Sequence, residues 1–332
     1  MTMRSFGWHR AREHLAAGAL FAAALLVPLA TDNLFLQDAT IFILLWAGLA
    51  GAWNIAGGFA GQLSLGHAAF FGLGAYTSTL LKIHLGLSPW LGMLCGAGLV
   101  VAASGFIAFA ATRLRGPYFA LVTIAFAAVM QIVAARWYSF TRGNEGLSIP
   151  FDPGWANFMF AGKLPWTVIA LCYVVAIYAL ATWIKRSRLG YQLAGMREDD
   201  DAAQALGIDT RSLKVLSIAI SAFLTALGGT FYAQYVGFVD PTYVFSIDLS
   251  VKFALMCIIG GMGTALGPIL GAVLITALEM GLRAKWGGGR SGLYLIVYGA
   301  LLIVVVRVMP EGLVAGLPQT VRRWSARASR AA

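Results

Sequence analysis

The sequence predicts an all-α integral membrane protein, a polytopic helix bundle of about ten spans, on three observations. Of its 332 residues, 59% are hydrophobic and 11% are charged, whereas soluble domains carry about 25% charged residues. Its apolar runs reach about 20 residues, the length of a helix that crosses the hydrocarbon core of a bilayer. The segments between those runs are too short to form a second globular core. One membrane domain is therefore expected.

Ten apolar runs are the candidate spans, and short loops separate most of them. They cover residues 15–30, 38–56, 64–83, 89–111, 117–136, 164–184, 213–232, 247–262, 264–282 and 291–308. This assigns residues 1–14 to an N-terminal tail, 15–310 to the transmembrane domain and 311–332 to a basic C-terminal tail. The first run is expected to remain a helix, because Pro28 would occupy the −3 position of a signal-peptide cut after Ala30, where a small residue is required.

The basic residues predict how the chain is oriented. With the N-terminus in the cytoplasm, most of the 24 lysine and arginine residues fall in inner loops and in the two tails. By the positive-inside rule, both termini and the segment 185–214 are then cytoplasmic. The net charge of +10 is expected to serve topology and contact with anionic membrane lipid. No nucleic-acid partner is expected, because no basic stripe alternates with exposed aromatic residues.

Residues 185–214 form the most polar segment of the chain, which we name the charged loop. A charge at the bilayer centre costs about 2.5–3.5 kcal/mol, so this loop must lie in water. Acidic residues followed by good helix formers, with Gly207 as a stop, predict a short helix over 198–206. Its small apolar faces suit a groove in a partner protein; a solvated connector is the alternative. The residues expected to make this contact are Arg197, Glu198, Asp199, Asp200, Asp201, Ala202, Ala203, Leu206 and Gly207.

Two glycine-rich segments, 57–76 and 260–272, predict broken or re-entrant helices. Backbone freed by such a break is tolerated in a membrane only where protein or a water-filled cavity satisfies it. The second segment faintly resembles the first, as in a duplicated bundle with a central site. Close helix packing is the alternative explanation for the glycines. The expected break positions are Gly58, Gly66, Gly260, Gly261, Gly263 and Gly267.

Polar residues near the first break and in the fifth run are candidates for lining a translocation pathway. Thr123 and Gln131 are spaced so that they share one helical face. Interhelical hydrogen bonds are the alternative role for these residues. The full set of candidates is Gly61, Gln62, Ser64, His67, Tyr118, Thr123 and Gln131.

No sequence feature predicts an enzyme. The phosphate-binding motif G-x-x-x-x-G-K-[ST], the zinc motif H-E-x-x-H and the nucleophile motif G-x-S-x-G are all missing from the sequence. No catalytic residue, metal ligand or bound cofactor is therefore expected, and the three cysteines are expected to be buried apolar residues. Asp248 with Lys252, and Glu279 with Arg283, are i, i+4 pairs near helix ends and are expected to neutralise each other. A proton-coupled secondary carrier would instead need an unpaired carboxylate deep in a span.

Several segments together resemble one family, the branched-chain amino acid permeases of ABC importers, of LivM type. The resemblance covers about residues 40–310. It is carried by Arg197-Glu198-Asp199 with Ala202-Ala203 and Leu206-Gly207-Ile208, by Gly61-Gln62-x-Ser64-Leu65-Gly66-His67-Ala68, by Arg115-Gly116-x-Tyr118-Phe119-Ala120, by Ala233-x-Tyr235-x-Gly237-Phe238-Val239-x-Pro241 and by Gly260-Gly261-Met262-Gly263-Thr264-x-x-Gly267-Pro268.

This resemblance implies a type II importer-like bundle in the inner (plasma) membrane of a bacterium. It implies a second permease subunit, two ATPase subunits that bind ATP and magnesium and dock on the charged loop, and a periplasmic substrate-binding protein. Branched-chain amino acids are the implied substrates; urea, short amides and aromatic acids, which related permeases carry, are alternatives. An ATP-independent carrier or channel, and a membrane-embedded enzyme or assembly factor, are the alternatives from other classes.

Overall fold

The computed structural model describes residues 3–114 and 116–286, with residues 296, 299, 300, 303, 307 and 312–314; side chains are described from residue 14, and those of 285 and 286 are not. The predicted tenth span and most of the C-terminal tail lie outside the described residues, as does Arg115.

The first half of the chain forms α1 (Met3–Ala30), α2 (Leu34–Asn54), a π-helical turn (Ile55–Phe59), α3 (His67–Leu85), α4 (Pro89–Arg113), α5 (Pro117–Arg136), α6 (Tyr138–Thr141), a 3-10 turn (Gly143–Glu145) and β1 (Leu147–Ser148).

The second half contains the remaining described elements. These are α7 (Lys163–Arg186), α8 (Arg188–Glu198), α9 (Asp200–Ala205), α10 (Thr210–Val236), β2 (Phe238–Val239), α11 (Pro241–Val244), α12 (Ile247–Gly260) and α13 (Gly267–Trp286). Among the described residues, the two short strands are the one departure from the all-α expectation. They pair antiparallel, with Leu147 opposite Val239 and Ser148 opposite Phe238.

Local sequence signals explain where several helices begin and end. The Asn33 side chain accepts a hydrogen bond from the Phe35 amide at 3.0 Å and so caps α2. Proline opens α4 and α5, at a position where its missing N–H group would be unsatisfied in any case. Gly86 adopts φ +63° and ends α3.

Six of the described helices are long and apolar enough to cross a membrane. They are Leu34–Phe59, Pro89–Arg113, Pro117–Arg136, Lys163–Arg186, Thr210–Val236 and Gly267–Ala284. They coincide with six of the ten predicted runs. The first, third and eighth runs are also helical, but their apolar stretches are too short or too polar to meet the same criterion; α12, for example, has 14 residues. The described helices thus have the length and composition of a multi-span membrane protein, and the total of ten spans stays a prediction.

The core is built around α10 and α2. Helix α10 packs against α3 and α4, and α2 packs against α7, α12 and α13. Small residues bring the backbones of α3 and α10 into contact: a Cβ atom on Gly74 would lie 2.4 Å from the Ala226 carbonyl oxygen, and one on Gly229 would lie 2.1 Å from that of Phe71. Such close approach is typical of helix packing in membranes.

The bundle has two polar ends. The charged loop lies at one of them, where α7 ends and α10 begins. At the opposite end, the ammonium group of Lys163 lies 2.7 Å from the Asp38 carboxylate, which also accepts a hydrogen bond from the Tyr235 hydroxyl. Lys82 donates there to the Asn157 carbonyl oxygen at 3.4 Å and to the Gln234 side chain at 3.5 Å.

Candidate functional site: the charged loop and the glycine junction

The charged loop contains two helices where the sequence predicted one over 198–206. Helix α8 ends at Glu198, and Asp199 adopts an extended backbone with φ −153°. Its carboxylate accepts the amide hydrogens of Asp201 and Ala202, both at 3.0 Å. The predicted boundary is therefore wrong by two residues at its start, because Asp199 caps the second helix instead of continuing the first.

The predicted stop of the loop helix is confirmed. Gly207 adopts φ +81°, a conformation that glycine reaches without strain. Its amide donates to the Gln204 carbonyl oxygen at 2.9 Å, and the Ile208 amide donates to that of Ala203 at 3.1 Å. The last carbonyls of α9 are thus satisfied, and the chain turns back toward α10.

Helix α9 places an apolar face in solvent. Ala203 is buried against the rest of the loop, whereas Ala202 is exposed and Leu206 is 82% exposed. Exposed leucines are ordinary where lipid covers them, but this one projects from a segment too charged to enter the bilayer. An apolar residue held in water beside a fixed helix is a suitable contact for a partner protein.

A buried ion pair holds α9 against the start of α10. The ammonium group of Lys214 lies 2.6 Å from the Asp200 carboxylate, and their side chains are 7% and 16% exposed. Burial opposes ionisation of Asp200, but hydrogen bonds from Lys214, Thr210 and Gln204, with the Lys214 charge, outweigh it and hold the pKa of this carboxyl below its ordinary value. The orientation of α9 is therefore fixed by charge as well as by packing.

Arg197 connects the charged loop to the first glycine-rich segment. Its Nη1 atom donates to the Gly58 carbonyl oxygen at 2.9 Å, and its Nη2 atom donates to the Glu198 carboxylate at 3.0 Å. The same Nη1 atom would lie 2.7 Å from a Cβ atom on Gly263. One arginine at the end of α8 thus contacts both predicted breaks.

The two breaks meet at a contact that we name the glycine junction, formed by residues 54–61 and 260–267. The Asn54 side chain accepts the Gly263 amide hydrogen at 2.9 Å and donates to the Thr264 carbonyl oxygen at 2.8 Å. A Cβ atom on Gly58 would lie 2.7 Å from the Gly263 nitrogen. Sequence analysis missed Asn54, although a single amide in an apolar run beside two glycines was a signal for it.

The breaks themselves differ in form. The first is a π-helical turn that extends α2; such turns are rare and frequently occur at functional sites. The second is an open turn in which Gly261 and Gly263 adopt φ +124° and +71°. Gly260 then faces Gly267 so closely that a Cβ atom on it would lie 1.8 Å from the Gly267 carbonyl oxygen. Gly66 instead allows close packing, with a Cβ position 2.0 Å from the Thr123 carbonyl oxygen.

Three of the predicted pathway residues are buried and hydrogen-bonded. His67 Nδ1 lies 2.8 Å from the Ser64 hydroxyl, and His67 Nε2 lies 2.7 Å from the Ser221 hydroxyl. Because Ser221 donates its own hydrogen to the Ala52 carbonyl oxygen, Nε2 must donate to Ser221 and Nδ1 must accept from Ser64. Thr123 accepts the Leu65 amide hydrogen at 3.0 Å. In this structure these residues join α2, α3, α5 and α10.

The other predicted pathway residues are separated along the molecule. Gly61 and Gln62 line a cleft of about 170 Å³ at the charged-loop end, together with Arg197, Asp200 and Lys214. Tyr118 is exposed at that end of α5. Gln131, farther along α5, donates to the Thr242 carbonyl oxygen at 3.4 Å. A role for these side chains in a pathway stays a prediction.

The expected ion pairs within α12 and α13 are replaced by one pair between these helices. The Lys252 ammonium group lies 2.6 Å from the Glu279 carboxylate and 4.5 Å from the centre of the Trp46 ring. The expectation from spacing was wrong, because the packing of α12 on α13 brings the Glu279 carboxylate to Lys252. Within the described part of the chain, no three His, Cys, Asp or Glu side chains lie close enough to hold a metal ion.

The expectation that all three cysteines are buried holds for Cys257 and is wrong for Cys95 and Cys172. These two lie on the exposed faces of α4 and α7, because an apolar run alone does not tell which of its residues face the core.

The fold and the site define a class of protein: a multi-span helical membrane protein with a structured, charged loop at one end. Comparison with known proteins identifies which kind. Residues 16–306 match the family described as the permease component of branched-chain amino acid transport systems. The chain therefore belongs to this family of ABC transporter permeases, whose named relatives are transport subunits and not enzymes.

Two relatives from Escherichia coli (strain K12) illustrate the match. The high-affinity branched-chain amino acid transport system permease protein LivM is 31% identical over 304 residues, covering 84% of this chain and 68% of its own length. The high-affinity branched-chain amino acid transport system permease protein LivH is 26% identical over 298 residues, covering 82% of this chain and 92% of its own length. The ribose import permease protein RbsC of Haemophilus influenzae is 26% identical over 221 residues, covering 65% and 64%. No solved structure matches the chain.

Proposed function

We propose that this chain is one permease subunit of an ATP-driven importer that moves branched-chain amino acids into the cytoplasm. Family membership and the name of LivM support the substrate class. The charged loop supports the coupling to ATP hydrolysis, and it is the observation on which this proposal depends. The chain itself carries no nucleotide-binding motif, so partner ATPase subunits supply ATP, magnesium and hydrolysis.

In this proposal the charged loop faces the cytoplasm, with both termini on the same side of the bacterial inner membrane, and about ten spans form a type II importer-like bundle. A second permease subunit, of the kind that LivH represents beside LivM, pairs with this chain. A periplasmic binding protein delivers substrate to the opposite end. These assignments agree with the clustering of basic residues predicted from the sequence.

The mechanism follows from the contacts of the charged loop. A partner ATPase that moves on binding ATP pushes on α9 through Ala202 and Leu206. Because Asp200 and Lys214 hold α9 on α10, and Arg197 bonds α8 to the Gly58 carbonyl, the loop moves as one body. Its motion then reaches the glycine junction, where α2, α12 and α13 meet. Rigid-body movement of helices about such a junction is a recurring way to switch between two openings of a pathway.

Substitution of Leu206 tests this function. We expect Leu206→Asp to abolish ATP-dependent uptake of L-leucine, a loss of about a hundredfold or more, because an unpaired carboxylate buried in an apolar groove costs at least about 3 kcal/mol. Leu206→Met keeps an apolar side chain of similar volume and should retain uptake. The assay uses the complete transporter in proteoliposomes, with D-ribose as a competing probe.

Normal uptake by the Leu206→Asp transporter, with both variants inserted at equal levels, would refute the coupling role. Uptake by the unmodified chain that persists without ATP would identify a secondary carrier or channel. Preferential uptake of D-ribose would retain the importer and change its substrate.

A further inference from the structure

Unpartnered polar side chains collect toward the end of the bundle opposite the charged loop, which we name the outer end. Within the described part of the chain, four buried side-chain atoms have no hydrogen-bond partner, and three of them belong to Tyr76 and Thr79 on α3 and to Gln234 near the end of α10. These side chains are 4%, 0% and 2% exposed. Leaving such a group unsatisfied costs about 1–3 kcal/mol, so a cluster of them is unusual in a native structure.

Lys82 adds a positive charge beside this cluster. It stands three residues after Thr79 on α3, is partly exposed, and its ammonium group lies 3.5 Å from the Gln234 side-chain oxygen. It also donates to the Asn157 carbonyl oxygen at 3.4 Å and to the Met159 sulfur at 3.6 Å. Both oxygen contacts are long, since a charge-assisted hydrogen bond prefers about 2.7–2.9 Å. No carboxylate of the described ranges forms an ion pair with Lys82.

Residues 152–159, which we name the outer loop, lie against Lys82 and the end of α10. The loop inserts the buried Phe158 ring beside Trp90, with ring centres 4.1 Å apart, and beside Phe231, 6.1 Å away. Phe158 adopts φ +50°, which a bulky residue reaches only at a cost of about 1–3 kcal/mol. The covered state of the outer end therefore contains both backbone strain and unsatisfied polar groups, and withdrawal of the loop would relieve both.

The groups beside the outer loop share one chemistry. The Tyr76 and Thr79 hydroxyls, the Gln234 amide and the Lys82 ammonium group can all donate hydrogen bonds, and the last of them is cationic. Such a set complements an anion, and a carboxylate in particular. In this structure the outer loop brings its own carboxylate, Asp152, near enough to act on the Lys82 charge without pairing with it. When the loop withdraws, Asp152 moves away and the lysine can accept another carboxylate.

We propose that Lys82, Thr79 and Gln234 form an entry site for the carboxylate group of an incoming amino acid, which the outer loop covers in this structure and uncovers when it withdraws. This inference rests on the proposed function and names where the delivered substrate first binds. The substrate carboxylate replaces Asp152 beside Lys82 and accepts hydrogen bonds from Thr79 and Gln234. Because these contacts exist only in the uncovered state, the substrate shifts the loop toward that state. Tyr76, one turn further from the outer end, is the next donor that the carboxylate meets.

The first test changes the charge of the site, in the complete transporter with its second permease, ATPases and binding protein. Lys82→Met keeps an unbranched side chain and removes the ammonium group. We expect ATP hydrolysis stimulated by the binding protein to continue, while L-leucine uptake per ATP falls about tenfold or more, the effect of losing a hydrogen bond to a charged group. Lys82→Arg keeps a cationic donor suited to carboxylates and should retain most of the uptake. Unchanged uptake per ATP in Lys82→Met would overturn this inference.

The second test compares one exchange of nearly equal shape at two threonines that are both 0% exposed, and it decides the matter if Lys82→Met does not assemble. Thr230 donates to the Gly74 carbonyl oxygen at 3.1 Å, so Thr230→Val should lower the unfolding temperature by a few degrees and leave uptake per ATP unchanged.

Thr79→Val removes a hydroxyl that has no partner among the described residues. It should leave the unfolding temperature unchanged or higher, while uptake per ATP falls about three- to tenfold with the loss of one hydrogen bond to the substrate. Full uptake, or an unfolding temperature lowered as much as by Thr230→Val, would overturn this inference alone. A lack of ATP-dependent leucine uptake by the unmodified transporter would instead refute the proposed function, and this inference with it.

Discussion

Two lysine–carboxylate pairs of equal length, 2.6 Å, lie in opposite settings in this molecule. Lys214 and Asp200 belong to the charged loop, and their side chains are 7% and 16% exposed. Lys252 and Glu279 belong to the membrane-spanning bundle, and theirs are 16% and 30% exposed. The pair in the water-facing loop is thus the better buried of the two. Desolvation alone would favour the reverse, because an open charge is tolerated in water and penalised in lipid.

The two pairs also differ in how many contacts hold each of them. Asp200 also accepts hydrogen bonds from Thr210 and Gln204, so the loop pair is one part of a network that fixes α9. Among the described residues, each member of the bundle pair has one hydrogen-bonding partner, and an aromatic ring lies beneath the lysine. A loop that must transmit motion benefits from many contacts that are shielded from solvent.

The largest expected effect comes from breaking the loop pair on one side. Asp200→Asn leaves the Lys214 ammonium group nearly buried without its counterion, which costs about 1–3 kcal/mol and should raise local opening of α9 by about ten- to a hundredfold. Amide hydrogen exchange across residues 199–206 measures this opening. Asp200→Asn with Lys214→Met removes both charges and should recover most of the protection.

The same pair predicts how α9 responds to pH. Because the pKa of Asp200 lies below its ordinary value of 3.8, its contribution is complete above that value and is lost only as the pH falls through the lowered pKa. Protection of α9, corrected for intrinsic exchange, should therefore stay constant between about pH 5 and pH 8. Wild-type protection in Asp200→Asn, or a double variant no better than the single one, would show that the pair does not fix the loop.

A smaller effect is expected when the loop is left intact but disconnected from the glycine junction. Arg197→Met removes the hydrogen bond to the Gly58 carbonyl and leaves the Asp200–Lys214 pair in place. We expect ATP hydrolysis stimulated by the binding protein to continue, while leucine uptake falls about tenfold, as for the loss of one charge-assisted hydrogen bond.

Arg188→Met is the matched control, since Arg188 is an exposed arginine at the start of the same helix. It should leave both activities unchanged. A parallel fall of hydrolysis and uptake in Arg197→Met would mean that this residue supports the fold or the docking of the ATPase instead of transmitting its motion.

The sequence predicted those features that depend on neighbouring residues. The acidic first turn of α9, its stop at Gly207 and the interruptions at the two glycine-rich segments follow from local backbone preferences. The start of α9 was misplaced because Asp199 both precedes good helix formers and caps well, and capping prevailed. The contacts of Asn54, Arg197 and Lys252 were not predictable, because each joins segments that only the packed bundle brings together.

The proposed coupling role of the charged loop requires that Leu206 lies on the cytoplasmic side of the membrane and is covered by an ATPase subunit. Leu206→Cys, in a chain whose exposed Cys95 and Cys172 have been replaced, is treated with a membrane-impermeant maleimide in right-side-out and inverted vesicles. We expect labelling in inverted vesicles alone, and protection of the introduced cysteine once the ATPase subunits are added. Labelling in right-side-out vesicles, or labelling that the ATPase subunits do not slow, would contradict the proposed coupling role.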